Sequence, residues 1–236
     1  MDADIFDNTI WKVQEIAKPG KILATLNPKN PEVCWFRAIN SDQNGHEFLA
    51  YKLGILLGLP MAKIRLRDDN VGETGVEAGS ISFLVAPGAV DWSQFPFKDK
   101  FEEHFVFNKI INALTFDIWV SNTDRSAENF QYVKFQGDDA YHFFLIDHTE
   151  CFKNPDNKNI TDLVKIEDFR RLFKSNLNEF KLAIEKIQSL EQNTINREVD
   201  GIPEKFLSTT RKSEIKGLLE LRSKNLDQMI EDFSNI

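Results

Sequence analysis

Short apolar runs and turn-forming residues alternate over the first forty positions. Runs rich in apolar and β-branched residues cover 10–16, 22–26 and 33–39, and breaks that contain Pro, Gly or Asn separate them at 18–20 and 27–31. Short runs of this composition predict strands, and the breaks predict tight connections between them. The pattern therefore predicts a small antiparallel meander at the start of the chain.

A helical period replaces this alternation over residues 45–57. Apolar side chains recur there at helical spacing, Asn44 precedes them and Gly58 follows. This spacing predicts a helix, with Asn44 as its N-cap and Gly58 at its C-terminal end. The short apolar runs at 62–66 and 81–84, which a polar loop separates, predict two more strands.

Helical periodicity dominates the chain after Pro87 and Gly88. The segments with apolar side chains at helical spacing are 101–120, 166–176, 177–190 and 213–233, and each predicts one helix. Residues 191–203 interrupt the period, so we predict a loop there.

A β-hairpin interrupts this helical half. Residues 130–135 and 141–146 are β-rich and equal in length, and the turn-forming residues 137–139 lie between them, which predicts an antiparallel hairpin. We therefore expect an α+β fold of two lobes. The first, at 1–88, is small, antiparallel and β-rich, and the second, at 89–236, is mostly helical and contains the hairpin.

Composition and charge narrow the class of protein. Of 236 residues, 42% are hydrophobic and 28% are charged, as in ordinary globular proteins. The chain has 29 Lys and Arg against 37 Asp and Glu, a net charge of −8, and no basic block stands out. Because proteins bind nucleic acid through clustered Lys and Arg side chains, we expect no nucleic-acid partner.

Targeting and redox features are those of a cytoplasmic protein. The acidic start of the chain is not followed by the apolar run of a signal peptide, and no stretch reaches the roughly 18 apolar residues that span a membrane. Cys34 and Cys151 are too few for a disulfide framework. We therefore expect a cytoplasmic location and no membrane partner. The oligomeric state stays open.

Candidate catalytic residues lie directly before and after the predicted hairpin. Asn129 precedes its first strand and Asp147 follows its second, so pairing of equal strands places the two side by side. One amide oxygen and one carboxylate suit Mg²⁺ that also binds phosphate. Asp124, five residues before Asn129, has the spacing of a residue that orients or deprotonates an acceptor hydroxyl.

Each of these residues also has a simpler interpretation. Asp and Asn residues commonly cap helices and begin turns, so Asp124 and Asn129 fit an ordinary polar loop. Asp147 fits the end of a strand. Taken jointly, and with the family-like context described next, the three residues favour a metal site over these simpler interpretations.

The two motifs together resemble those of a known family. The sequence N-T-D-R at 122–125 with Asn129, followed by a hairpin and L-I-D-H at 145–148, resembles the HipA-like kinases and, more distantly, the phosphoinositide kinases. These carry D-R-x-x-x-N followed by I-D-H. The resemblance is weaker elsewhere in 10–150, and beyond residue 155 only the helical character matches. It implies a protein-kinase-like fold in which Asp124 is catalytic.

This resemblance also implies the cofactors and the residues that bind them. Asn129 and Asp147 would hold Mg²⁺ on the phosphates of ATP. In the family, a Lys on the third strand contacts the phosphates and pairs with a Glu on the next helix. Glu47 matches that Glu, but the strand offers Arg37 in place of the Lys. Arg keeps the charge, although its planar guanidinium is not equivalent to an ammonium.

The nucleotide-binding part of the first lobe departs further from the family pattern. Phe83 and Val85 lie where a connector between the lobes would contact adenine. No G-x-G-x-x-G motif occurs in the strand region, and Gly20 is the only glycine before Gly45. A glycine-rich loop over the phosphates is therefore not expected.

The sequence favours an ATP- and magnesium-dependent phosphotransferase, a HipA-like serine/threonine kinase that transfers the γ-phosphate to a hydroxyl of a protein substrate. Two alternatives remain open. The first is a pseudokinase or protein-binding module that keeps the fold, which Arg37 and the missing glycine-rich loop motivate. The second is a kinase that phosphorylates small molecules.

Overall fold

A computed structural model of the chain describes residues 12–18, 21–27, 30–37, 41–67, 79–83, 88–105, 107–153 and 166–234. The strands of this part are β1 (Lys12–Lys18), β2 (Lys21–Asn27), β3 (Asn30–Arg37), β4 (Ile64–Arg67), β5 (Gly79–Phe83), β6 (Val90–Asp91), β7 (Phe130–Val133) and β8 (His142–Leu145). Its α-helices are α1 (Ser41–Leu56), α2 (Phe107–Trp119), α3 (Glu167–Ser175), α4 (Leu177–Gln188), α5 (Gln192–Asp200) and α6 (Thr209–Ser234).

The first five strands form one antiparallel sheet. Its strand order is β1-β2-β3-β5-β4, so the predicted meander is confirmed as β1 to β3. Helix α1 begins at Ser41, earlier than expected, which makes the N-cap prediction for Asn44 wrong. Asn44 lies inside the helix and is buried, and its Oδ1 accepts a 2.8 Å hydrogen bond from Ser80 Oγ. This bond ties α1 to β5.

The predicted hairpin is confirmed as β7 and β8. The two strands pair antiparallel from Phe130 opposite Leu145 to Val133 opposite His142, and β6 extends them to a three-stranded sheet. The hairpin also reaches the first lobe. The backbone N–H of Leu145 donates to Pro60 O at 2.9 Å, and the N–H of Ala62 donates to Leu145 O at 3.0 Å. The segment between α1 and β4 therefore braces the strand that ends just before the predicted metal ligand.

The prediction of one long helix over 101–120 is wrong. Two elements occupy this stretch, a 3₁₀-helix at Lys98–Glu103 and α2. The helical period continues through Phe105, but the backbone around it pairs with another strand segment. Tyr141 donates its N–H to His104 O at 2.8 Å, and Phe105 forms a parallel bridge with Tyr141. These backbone bonds compete with helix formation between the two elements.

The predicted loop at 191–203 is also wrong over most of its length, because α5 forms there. Ile195 and Val199 lie one helical turn apart and are almost fully buried, which explains why this polar segment adopts a helix. The helices expected at 166–176, 177–190 and 213–233 are confirmed as α3, α4 and α6, with small shifts of their ends.

One apolar core runs through both lobes. Phe48 and Leu53 of α1 belong to the same buried cluster as Ile111 of α2 and Leu219 of α6. Trp92 lies within an aromatic part of this cluster, 4.7 Å from the ring of Phe169. Since α1 shares its core with the helical lobe, the two lobes support each other directly. No helix in the described ranges is long and apolar enough to cross a membrane.

Candidate active site

The loop after α2 gives Asp124 its position. Asn122 is fully buried, and its amide bonds in two directions. Its Nδ2 donates to Asp117 Oδ1 at 2.9 Å, and its Oδ1 accepts from the backbone N–H of Asp124 at 3.1 Å. An Asn side chain that bonds the backbone two residues later forms a turn. This turn fixes the half-buried Asp124 at the end of α2.

Asn129 closes the same loop. Its Nδ2 donates to the carbonyl oxygen of Asp124 at 2.8 Å, and its backbone N–H donates to Ser126 O at 3.1 Å. Because the amide nitrogen bonds the loop, the amide oxygen is the atom of this side chain that suits a cation. The five-residue spacing of the motif is thus a closed turn in the structure.

Asp147 has an unusual backbone conformation. Its φ angle is 57°, in the left-handed region that side chains other than glycine rarely adopt and that costs about 1 kcal/mol or more. Its Oδ1 accepts a 2.8 Å hydrogen bond from Thr149 Oγ1. Backbone strain of this kind concentrates at functional sites. The half-buried carboxylate is therefore held in a specific direction at the end of β8.

The predicted register between Asn129 and Asp147 is off by one residue. The carbonyl oxygen of Asn129 accepts from the N–H of Ile146 at 3.3 Å, so Ile146 lies opposite Asn129 and Asp147 follows it. The error arises because β7 begins at Phe130 as predicted, whereas β8 ends at Leu145, one residue earlier than predicted. The two residues still flank the same end of the hairpin.

Arg125 connects the loop of Asp124 and Asn129 to the end of β8 through buried hydrogen bonds. Its side chain is completely buried, with Nε 2.7 Å from Asp117 Oδ2 and Nη2 3.1 Å from Asp117 Oδ1. Its Nη1 donates to the carbonyl oxygen of Asn129 and to that of Ile146 at 2.9 Å. Burial alone would lower the pKa of Arg125, but the carboxylate of Asp117 raises it. The buried guanidinium of Arg125 thus fixes both the loop that ends at Asn129 and the strand end at Ile146.

His148 completes this network as a neutral side chain. Its Nε2 lies 2.7 Å from Arg125 Nη2, and burial, then the charge of Arg125, hold the pKa of His148 well below its usual value. Since a guanidinium only donates, His148 Nε2 accepts. The structure therefore places His148 among buried groups, where it orients Arg125.

Glu47 reaches the residue directly after Asp147. Its side chain is buried, and Oε2 accepts a 2.7 Å hydrogen bond from the backbone N–H of His148. On the sheet, Arg37 pairs with Ser80, whose hydroxyl bonds Asn44 one helical turn before Glu47. The register thus brings the backbone of Arg37 to the part of the sheet that α1 covers, and the pairing of Arg37 with Glu47 stays a prediction.

The expected contact of Phe83 with adenine stays a prediction. Lys63 Nζ lies 4.7 Å from the centre of the Phe83 ring. Successive side chains of a strand point to opposite faces, so Phe83 lies on the face opposite Ser80 and Ser82. Val85, the second residue expected near adenine, lies outside the described residues, as does Gly20.

The donor set fits a hard divalent cation that also binds phosphate. Asn129 and Asp147 offer oxygen atoms, which Mg²⁺ and Mn²⁺ prefer. Within the described ranges, no three His, Cys, Asp or Glu side chains form a group that could hold a metal alone. A metal here would therefore complete its coordination with phosphate and water oxygens.

Sequence reasoning missed Asp117, the buried carboxylate that supports the site from within the core. Asp117 lies on α2 between Phe116 and Ile118 and is 1% exposed. The available signal was a single acidic residue within an apolar helical run, because a buried carboxylate needs a partner that compensates its charge. Its partner Arg125 stands within the motif itself.

Comparisons with known proteins identify the fold. No protein-family model matches the sequence, and no curated protein matches it significantly. Solved structures do match. The proinflammatory kinase CtkA of Helicobacter pylori superposes with a TM-score of 0.66 at 15% identity, covering 98% of both chains. The protein therefore has a two-lobed, kinase-like α+β fold.

Two further structures agree with this assignment. The Golgi casein kinase with Mn and ADP bound matches with a TM-score of 0.58 at 11% identity, covering 96% of this chain and 74% of the other. HipA of Shewanella oneidensis, in a complex with HipB and operator DNA, gives 0.53 at 12%, covering 100% and 71%. The likeness to HipA is thus found at the level of the fold.

Proposed function

We propose that this protein is an ATP- and magnesium-dependent phosphotransferase that transfers the γ-phosphate to a hydroxyl group. The observation that carries the proposal is the bonding of Arg125, whose guanidinium binds the backbone carbonyls of Asn129 and Ile146 together. This brings the loop of Asp124 and the turn of Asp147 to one end of the hairpin. Phosphoryl transfer requires such positioning of charged groups more than covalent chemistry.

In this proposal each site residue has one role. The oxygens of Asn129 and Asp147 hold Mg²⁺, which neutralises charge on the ATP phosphates. Asp124 orients the acceptor hydroxyl and takes its proton. Arg37, paired with Glu47, contacts the α- and β-phosphates. The bond from Glu47 to the backbone of His148 supports this scheme, since it links the phosphate-binding side to the metal-binding turn.

A serine or threonine hydroxyl of a protein is the acceptor that we propose first. The resemblance of the D-R-x-x-x-N and I-D-H motifs to HipA-like kinases supports it, and one structural neighbour is described as a casein kinase. A small-molecule hydroxyl remains the alternative acceptor. The pseudokinase or protein-binding module remains the alternative function, because β3 supplies Arg37 where the family has Lys.

Thermal unfolding with and without metal tests the nucleotide site. We expect ATP with Mg²⁺ to raise the unfolding temperature of the wild type and ATP with a chelator to raise it less. A ligand at 100 times its Kd stabilises the folded state by about 2.7 kcal/mol. Asp147→Asn removes the carboxylate charge that the metal needs, so it should abolish the metal-dependent part of the shift.

The matched control is Asp139→Asn. Asp139 is exposed in the turn between β7 and β8, so this variant loses the same charge and should respond as the wild type does. A metal-dependent shift that survives in Asp147→Asn would contradict the assignment of Asp147. No shift in the wild type would contradict the proposed function and favour the protein-binding module.

A further inference from the structure

The C-terminal helix α6 reaches the turn after Asp147 through Arg211. The Nη2 of Arg211 donates to the carbonyl oxygen of Phe152 at 2.8 Å. Its Nε and Nη2 each lie 3.4 Å from Nε2 of His46 on α1, and its Nη1 donates to Glu214 Oε2 at 2.8 Å. One guanidinium therefore links α6, α1 and the segment that follows the predicted metal ligand.

His46 contacts both Arg211 and the turn after Asp147. The side chain is 1% exposed, and its Nδ1 lies 3.4 Å from Thr149 O. Burial, then the charge of Arg211, lower the pKa of His46 to about 4, so the ring is neutral at pH 7. Because Arg211 only donates, His46 Nε2 accepts, and Nδ1 carries the proton that faces Thr149 O.

Helix α1 holds the turn with three side chains of one face. Besides His46, Gln43 Nε2 donates to Glu150 Oε1 at 2.7 Å, and Glu47 accepts from the N–H of His148 at 2.7 Å. Positions 43, 46 and 47 are three and four residues apart and so share a helix face. Three successive residues after Asp147 are therefore fixed by one side of α1.

The far end of the turn has the same kind of strain as its start. Phe152 has a φ angle of 63°, and Asp147 has one of 57°. The N–H of Phe152 donates to Val120 O at 2.8 Å, while its carbonyl is the group that Arg211 binds. Two left-handed residues in six need external support, because neither is glycine.

We propose that Arg211 is a positioning residue for the metal-binding carboxylate of Asp147. The inference rests on the proposed function. Arg211 does not touch nucleotide or metal in this scheme. It fixes the carbonyl of Phe152 and the ring of His46, and these fix the turn whose left-handed start directs the Asp147 carboxylate. Loss of Arg211 should therefore weaken metal binding in the nucleotide complex and leave metal-free nucleotide binding unchanged.

The test measures how much Mg²⁺ the protein needs to bind ATP. Mg²⁺ is titrated at fixed ATP, and the midpoint of the nucleotide-dependent thermal shift is compared between wild type and Arg211→Met. Replacing a residue that orients a metal ligand typically lowers metal affinity by about ten- to hundredfold. We therefore expect the Mg²⁺ midpoint of Arg211→Met to be at least tenfold higher than that of the wild type. The affinity for ATP in excess chelator should stay at the wild-type value.

Two further variants separate positioning from general loss of structure. Arg211→Lys keeps a charged donor for Phe152 O, so its midpoint should lie between those of wild type and Arg211→Met, and it keeps the test valid if Arg211→Met fails to fold. Arg197→Met removes an Arg that is 71% exposed on α5 and should keep the wild-type midpoint.

Each outcome decides between the two proposals. A wild-type Mg²⁺ midpoint in both Arg211 variants overturns the positioning role and leaves the proposed function standing. An equal loss of ATP affinity with metal and with chelator also overturns it, since a structural defect would act on both. If the wild type itself shows no metal-dependent ATP binding, the proposed function fails and the role of Arg211 fails with it.

Discussion

At the scale of single residues, the buried pair of Arg125 and Asp117 is the structural centre of the candidate site. Both side chains are about 1% exposed and their charged atoms approach to 2.7 Å. Removing one partner from such a pair leaves an uncompensated buried charge. The guanidinium also binds two backbone carbonyls, so its position determines the shape of both motif segments.

Asp117→Ala should destabilise the protein strongly. Breaking a buried ion pair by removing one partner costs about 3 to 5 kcal/mol, and here Asn122 also loses the carboxylate that its amide binds. Urea denaturation measures the change in the free energy of unfolding.

Glu102→Ala is the matched control for this prediction. Glu102 pairs with Arg171 at 3.2 Å, with both side chains more than a third exposed, and exposed pairs contribute about 0 to 1 kcal/mol. Equal effects of the two variants would contradict the central role of the buried pair.

At this scale the sequence predicted the residues of the site that regular spacing identifies, and it missed those whose role depends on a buried contact. The separation of Asp124, Asn129 and Asp147 around a hairpin indicated that they meet at one end of it, and the structure agrees within one residue. The role of Asp117 depends on a partner eight positions away in a turn that no local pattern describes. Likewise, Glu47 was expected near Arg37, whereas its bond to the backbone of His148 depends on how α1 packs.

At the scale of elements, α1 packs tightly against the helical lobe. A side chain at Gly45 would place its Cβ 2.6 Å from Leu207 Cγ and 2.8 Å from Phe206 O. Lys52 pairs with Glu198 of α5 at 3.3 Å. These contacts hold the helix that carries Glu47 in one position relative to the turn that begins at Asp147.

Gly45→Ala should therefore destabilise the protein. Overpacking of this kind costs about 1 to 3 kcal/mol, because the carbonyl of Phe206 belongs to the backbone and cannot rotate away. The change in the free energy of unfolding is measured by urea denaturation.

Gly217→Ala is the matched control, because it makes the same substitution at a helical glycine that has no close neighbour in the described part of the chain. Gly217 belongs to α6, and a Cβ added to it would meet no described atom within 4 Å outside its own helix backbone and chain neighbours. Ala should therefore stabilise the helix by about 0.5 to 1 kcal/mol. A Gly45→Ala variant that is as stable as Gly217→Ala would show that α1 does not pack closely on this lobe.

Helical period predicted most elements but not their interruptions. Between Lys98–Glu103 and α2, the period continues while the backbone of His104 bonds Tyr141, a contact from another part of the chain. In α5, two buried apolar residues are enough to stabilise a helix that the polar sequence does not suggest. Both errors come from tertiary packing, which a local pattern cannot contain.

At the scale of the whole molecule, the fold is shared with kinases whose sequences differ at about six of every seven positions, since CtkA is 15% identical over 98% of the chain. The two lobes share one core, and the candidate site lies where α1, α2 and the hairpin meet. The sequence could predict this architecture because two spaced motifs flank the hairpin. It could not predict the identity of the acceptor molecule, because no residue pattern in it is specific for one.

The measurement that most directly tests phosphoryl transfer is ADP formation at saturating ATP and Mg²⁺, with dephosphorylated casein as a serine-rich acceptor. We predict that the wild type forms ADP and phosphorylates casein only with metal, and that Asp124→Asn binds ATP and Mg²⁺ equally well but turns over at least about a hundredfold more slowly, since a general base contributes about 10²- to 10⁴-fold. Equal turnover in Asp124→Asn, or metal-dependent ATP binding without any ADP formation by the wild type, would contradict the proposed activity.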